Sequence, residues 1–339
     1  MSKRKGKPII RTRSAPSLSA NNSVDLSLHD ALDFVYSTKQ AEGLRPRTLS
    51  EYRSLFGLFI EWLGVHNPGV KRITDISTGM IREYVIYLST KHTNKKTGEI
   101  GLSPYTVNIR IRLLKAFFNT LHTEEIIDKN PAQAIKLMRV DEDTFEPLTD
   151  EEVNRLLSVP DIRLYAQFRD LVSMFLILDT GIRSSEMFAL EMEDVNFKSR
   201  AIYLPGSKTK NRKPRILPLS NQVLRMLMEL ITEVKANFET TYIFVSNFGE
   251  RYSPSSFRRR LHIYKERSGI DKSISAHGLR HQFCRDYIMN GGDIFTLQRI
   301  AGHADISTTR KYIQLTDEDL KTKHAEFSPI ARRRIKYRK

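Results

Sequence analysis

Helical periodicity breaks between residues 128 and 157, where DKNPAQAIKLMRVDEDTFEPLTDEEVNRLL mixes prolines with charges of both signs. Proline removes a backbone donor and disfavours a helical residue before it, so no single helix runs through this stretch. A chain of 339 residues interrupted there reads as two domains with a boundary near residue 140. We take residues 1–25 as a flexible basic arm, 26–140 as a helical domain, 141–330 as a second domain and 331–339 as a basic tail.

The first of these domains reads as about four helices. RPRTLSEYRSLFGLFIEWLG places Thr48 and Glu51 at capping-box spacing, with Gly64 as the stop. LSPYTVNIRIRLLKAFFNTL offers Ser103 as N-cap and Pro104 at the first helical position, with Val107, Ile111, Leu114, Phe118 and Leu121 on one face. SLHDALDFVYSTKQ and GMIREYVIYLSTKH supply the other two. In the second domain Thr149 and Glu152 form another capping box, and Gly181 closes RDLVSMFLILDTG. RAIYLPGSKTKNRKPRILPLS then reads as short strands around a basic turn, and Ser253 with Pro254 opens a further helix. The expected fold class is mainly α with a small β-sheet, a helical domain followed by a mixed α/β one.

Charge narrows the partner. Lys and Arg number 55 against 39 Asp and Glu, a net charge of +16 and a pI near 9.8, which suits an extended polyanion. Anionic lipid is the other candidate, but no run of roughly 18 apolar residues is present, and the start of the chain lacks the apolar core of a secretory signal. Cys284 is the one cysteine, which excludes an internal disulfide framework and a cysteine-rich zinc site. A soluble DNA-binding protein of a reducing cytoplasm is the expectation. Asn108, Arg112, Lys115 and Asn119 form a polar stripe beside the apolar face of their helix. Such a stripe is either a solvated face or a set of phosphate contacts, and the net charge favours Arg112 and Lys115 as DNA-binding residues.

Four places in the second domain concentrate chemistry. In DTGIRSSEMFAL, Arg183 and Glu186 lie three apart and share a helix face, the spacing of a salt bridge. Lys208 sits on the hairpin turn with Lys210 and Lys213 close by. AHGLRHQF carries His277, Arg280 and His281, and GHADISTTRKY carries His303 and Tyr312. The i, i+4 spacing of His277 and His281 could hold zinc, but no Glu lies between them and Arg280 would oppose a cation. A serine hydrolase lacks its G-x-S-x-G elbow. Two arginines, a lysine, two histidines and a tyrosine suit phosphoryl transfer on DNA instead. Guanidinium forks hold the non-bridging oxygens, a tyrosine hydroxyl attacks phosphorus, and Lys or His protonates the departing oxygen.

These boxes resemble the tyrosine recombinases, the phage integrase and Xer-like family. TGIRSSEMFAL is similar to its first arginine box, HGLRHQF to its H-x-L-R-H box and IAGHADISTTRKY to the box that ends in the nucleophile. The likeness spans about residues 27–330. It implies that Tyr312 attacks the scissile phosphate to give a 3′-phosphotyrosine and a free 5′ hydroxyl. It further implies that Arg183 and Arg280 clamp the phosphate, Lys208 is the general acid, His277 assists proton transfer from Tyr312 and His303 donates a hydrogen bond. Lys210 is the alternative lysine and otherwise a DNA contact, and Glu186 buttresses the site. No cofactor or metal is implied. The family fold is a C-shaped clamp around double-stranded DNA with inverted-repeat core sites, assembled as a homo-tetramer exchanging strands through a Holliday junction, with accessory or directionality factors in some members. Integration or excision of a bacterial mobile element is the expected task. The alternatives are Xer-type dimer resolution, relaxation of the type IB topoisomerase kind, and a catalytically silent DNA-binding regulator.

One geometric expectation is independent of the resemblance. His303 and Tyr312 are nine positions apart, and at about 100° per residue an unbroken helix would put them on opposite faces. A turn is therefore required between them, with Asp305 or Ser307 as its cap.

Overall fold

The computed structural model describes residues 26–94, 98–140, 146–209, 211–306, 309, 321 and 324–330. The arm, Lys210, Ser307, Tyr312 and the tail lie outside them. The chain divides into two compact units, one through Glu142 and one from Asp143.

The first unit holds helices α1 (Leu28–Ala41), α2 (Pro46–His66), α3 (Thr78–Thr90) and α4 (Pro104–Thr123). Ser103 caps α4 by accepting from Thr106 N, and Pro104 follows at the first position. The predicted stripe Val107, Ile111, Leu114, Phe118 and Leu121 is buried, joined by Phe117. Phe117 stacks on Phe56 of α2 with ring centroids 3.6 Å apart, and Phe59 of α2 meets Tyr84 of α3 at 4.9 Å. Two expected boundaries move. The second helix begins at Pro46, because proline needs no N–H partner in a first turn, so Thr48 lies inside the helix and Glu51 pairs with Arg47 instead. Gly64 does not stop it either. Open space surrounds a Cβ there, and the burial of Trp62 and Leu63 carries the helix on to His66.

The polar stripe of α4 also reads differently. Asn108 is 2% exposed and exchanges two hydrogen bonds with the backbone of Met138, at 2.8 and 2.9 Å. The Lys115 ammonium donates to the carbonyls of Ala132, Gln133 and Ile135 at 3.0, 2.9 and 2.8 Å. An ammonium has three donors, so these carbonyls occupy all of them, and the expectation of a phosphate contact is corrected. Arg112 stays exposed. Lys115→Met should lower stability by about 1–3 kcal/mol, the cost of stranding carbonyl acceptors, and leave the salt slope of DNA binding unchanged. Arg112→Ala should do the reverse, reducing the slope by about one. Thermal unfolding with a salt titration checks both, and a shallower slope for Lys115→Met at unchanged stability would reverse the assignment.

The second unit contains α5 (Asp150–Ser158), α6 (Tyr165–Thr180), α7 (Ser184–Met187), strands β1 (Val195–Asn196), β2 (Ala201–Leu204) and β3 (Arg215–Pro218), then α8 (Asn221–Asn237), α9 (Pro254–Ser268), α10 (Ala276–Met289) and α11 (Ile294–Ala301). The Thr149–Glu152 capping box opens α5, and Ser253 with Pro254 opens α9. The strands form one antiparallel sheet in the order β1-β2-β3, with Ile202 opposite Leu217 and Tyr203 opposite Ile216. Ile202 and Leu217 enter the core while Tyr203 and Ile216 face out. Helix α6 is buried along its length and packs against α8 and α10. Its Asp170 accepts from Arg169, Arg260 and Tyr264, which ties α6 to α9. Among the described residues no helix is long and apolar enough to cross a membrane.

Candidate active site

The site is built where α6, α10 and α11 end or begin. Helix α6 closes at Gly181, with φ of 61°. A Cβ there would enter the Phe283 ring of α10, so glycine serves both the left-handed turn and the close approach. The chain re-enters helix at α7 with Arg183 as its N-cap residue. Arg280, on α10, is 2% exposed and donates to the Gly181 carbonyl and, at 2.7 Å, to that of Ala301. Arg183 donates to Glu186 at 3.2 Å, to the Ala301 carbonyl at 3.4 Å and to that of Gly302 at 3.1 Å. The two guanidinium groups predicted to clamp one phosphate thus converge on one carbonyl.

A third arginine completes the cluster. Arg215, on β3, donates its Nε–H to the Ile300 carbonyl at 3.0 Å and grips Glu186 with both terminal nitrogens, at 3.2 and 2.5 Å. The end of α11 thereby presents its carbonyls, the negative pole of the helix, to Arg183, Arg215 and Arg280. Gly302 turns the chain there with φ of 64°, and a Cβ on it would crowd the Arg215 side chain at 3.0–3.1 Å. Glu186 is 1% exposed, so its pair with Arg183 is not a surface salt bridge. Burial alone would raise its carboxyl, but Arg215 and Arg183 outweigh that and hold it below the usual range. Burial, then repulsion from Arg183, brings Arg280 down to about 10, which leaves it charged at neutral pH.

His303 lies just past the turn. Burial first, then the fields of Arg280 and Arg183, push its imidazole down to about 4, so it is neutral near pH 7. Its Nδ1 lies 2.9 Å from the hydroxyl of fully buried Thr309. If that hydroxyl donates, Nε2 carries the ring hydrogen and is the nitrogen able to donate to an anion. Helix resumes at Ile306, immediately after Asp305, so a turn does separate His303 from the next helical segment.

Lys208 lies in a 3₁₀ turn at Gly206–Lys208, between β2 and β3. Its ammonium is 2.5 Å from Glu191 and 2.6 Å from Asp194. Burial would lower its pKa, but the two carboxylates outweigh that and raise it. His277 is exposed near the start of α10, with its Nε2 2.8 Å from that of His281. An open cleft between the hairpin and α11 is lined by Pro205, Lys213, Arg215, Gln298 and His303.

The geometry therefore gathers Arg183, Arg280 and His303 around the end of α11, with Glu186 behind them, and shows the carboxylate partners of Lys208. Tyr312 and Lys210 fall outside the described residues. Sequence reasoning missed Arg215, Thr309, Glu191 and Asp194. Arg215 and Glu186 are 29 positions apart, and nothing local marks an arginine on a strand as the partner of a buried glutamate. Among the described residues no group of three or more His, Cys, Asp or Glu is placed to hold a metal ion.

Residues 146–319 match the phage integrase family, and residues 28–137 match the phage integrase SAM-like domain. The chain belongs to the phage integrase family, and so to the tyrosine site-specific recombinases. It is 26% identical to a tyrosine recombinase XerC of Chlamydia caviae, over 88% of this chain and 97% of that protein. It is 27% identical to a tyrosine recombinase XerD of Listeria monocytogenes, over 88% and 98%. Among solved structures, a Tn1549 transposon integrase in complex with a circular intermediate DNA shares the fold at a TM-score of 0.69 and 20% identity, covering 87% of this chain and 99% of that one.

Proposed function

We propose that this protein cuts and rejoins double-stranded DNA at specific sites through a 3′-phosphotyrosine on Tyr312. The observation that carries the reading is the convergence of Arg183 and Arg280 on the Ala301 carbonyl beside His303. Three of the five Arg183 donors and two of the five Arg280 donors have partners among the described residues, leaving others for phosphate oxygens. In the first step the Tyr312 oxygen bonds to phosphorus and the bond to the 5′ oxygen breaks. His277 takes the tyrosine proton and Lys208 protonates the leaving oxygen. Arg183, Arg280 and His303 bind the charge that gathers on the non-bridging oxygens. DNA has to draw Lys208 away from Glu191 and Asp194, because an ammonium held by two carboxylates is a weak acid. Attack by an incoming 5′ hydroxyl reverses the step. The phosphotyrosine conserves the bond energy, so the chemistry calls for neither ATP nor a divalent cation.

Four protomers on inverted-repeat core sites would exchange strands pairwise. Lys210 and Arg112 are offered as DNA contacts, and the protein as nucleoid-associated. Integration or excision of a mobile element is the favoured task, in keeping with the likeness to a transposon integrase. Xer-type dimer resolution is the second reading, favoured by XerC and XerD relatives that match over 88% of the chain. The test begins with a binding site selected from a random duplex pool. Plasmids carrying two such sites should yield recombinants. Relaxation of supercoils without recombinants on any site pair would instead make this a topoisomerase-like enzyme, and no strand cleavage at all would make it a DNA-binding regulator.

A further inference from the structure

Two imidazoles stand face to edge at the start of α10. The His277 and His281 rings have centroids 4.3 Å apart and planes at 87°, and their Nε2 atoms are 2.8 Å apart. At that separation one nitrogen must carry a hydrogen and the other a lone pair. The pair therefore holds one proton between the facing nitrogens. A second proton there would add charge beside Arg280 on the same helix, and in a neighbourhood where His281 already acts on His303 together with Arg183 and Arg215.

We propose that His281 is a positioning residue that fixes the tautomer of His277, which rests on the reading of His277 as the acceptor of the Tyr312 proton. With His281 accepting at Nε2, His277 carries its hydrogen on Nε2 and its lone pair on Nδ1. Nδ1 is then the nitrogen of His277 with basic character. As the tyrosine oxygen bonds to phosphorus and the bond to the 5′ oxygen breaks, the proton passes to Nδ1. The resulting imidazolium still donates from Nε2 to His281, which stabilises the charge just formed. In the opposite tautomer Nδ1 carries a hydrogen and His277 has no base to offer. The group behind a catalytic histidine commonly selects its tautomer, and here a second histidine does so through the i, i+4 geometry of one helix turn.

The test measures covalent-adduct formation on a nicked suicide duplex carrying the selected site. His281→Ala should slow it by about 10- to 100-fold, short of the roughly 10²- to 10⁴-fold that a positioned proton acceptor contributes. His281→Gln keeps an amide oxygen that can accept and should recover most of the rate, whereas His281→Phe keeps a ring without an acceptor and should not. In a His277→Ala background the His281 substitution should cost nothing further. A duplex with a 5′-bridging phosphorothioate, whose leaving thiolate needs no proton, should rescue Lys208→Ala but not His281→Ala. Additive losses in the double variant, or His281→Ala at the wild-type rate while His277→Ala is slow, overturn the proposal. If His277→Ala is itself as fast as wild type, the acceptor assignment fails and takes this inference with it.

Discussion

Tyr312→Phe should form no covalent adduct on a nicked suicide duplex that the wild-type chain captures, a loss of at least roughly 10⁴-fold, the scale on which removing a nucleophile acts. The substitution deletes one oxygen and keeps the ring, so DNA affinity and thermal stability should stay at wild-type values. Three other phenols of the second unit are poorly suited to the role, whereas Tyr203 is exposed and lines the cleft with His303, so the trapped tyrosine has to be identified. Tyr264 donates its hydroxyl to Asp170 at 2.8 Å, and burial, then the charge of Asp170, raises its pKa. Tyr165 is pushed up to about 12 by burial and donates to the Val245 carbonyl. Tyr252 is 6% exposed and likewise raised, by burial first. A phenol held protonated in or against the core is a poor nucleophile for a phosphodiester. Mass spectrometry of the trapped complex decides the matter, and an adduct that persists in the Phe variant removes Tyr312 from the mechanism.

What the sequence made legible was mostly local. Ser103 with Pro104, the Thr149–Glu152 box and Ser253 with Pro254 each announce a helix start within four residues, and each does so in the structure. The hairpin is legible for the same reason, since a change of periodicity acts within a few residues. The arginine boxes are short enough to read by pattern. Partners brought in from afar are not. Arg215 reaches Ile300 across 85 positions and Lys272 reaches Glu152 across 120. The stripe containing Asn108 and Lys115 looked like a DNA-facing surface, because only folding brings residues 132–138 back over α4. Thr48 and Gly64 misled in the other direction, as local signals that Pro46 and the packing of Trp62 and Leu63 overruled.

Arg183→Ala should lower the cleavage rate by roughly 10²- to 10³-fold, about 3–4 kcal/mol of transition-state stabilisation, with a much smaller change in DNA affinity. The asymmetry follows from where each free energy arises. Affinity for a polyanion should come from many salt-sensitive phosphate contacts spread over a strongly basic chain, whereas in the proposed mechanism the guanidinium fork at Arg183 meets charge that develops only as phosphorus gains its fifth oxygen. Loss of fold is a weak rival explanation, because the buried Glu186 carboxylate keeps its two bonds to Arg215 when Arg183 is gone. The Gly302 carbonyl loses its arginine donor, and that of Ala301 still has Arg280. Arg183→Lys separates charge from geometry. A lysine keeps the positive charge but not the fork, and should fall between wild type and Ala. Single-turnover cleavage beside equilibrium binding at fixed salt measures both quantities. Equal losses in the two would place Arg183 among the general DNA contacts, and a wild-type rate for Arg183→Lys would reduce its role to charge alone.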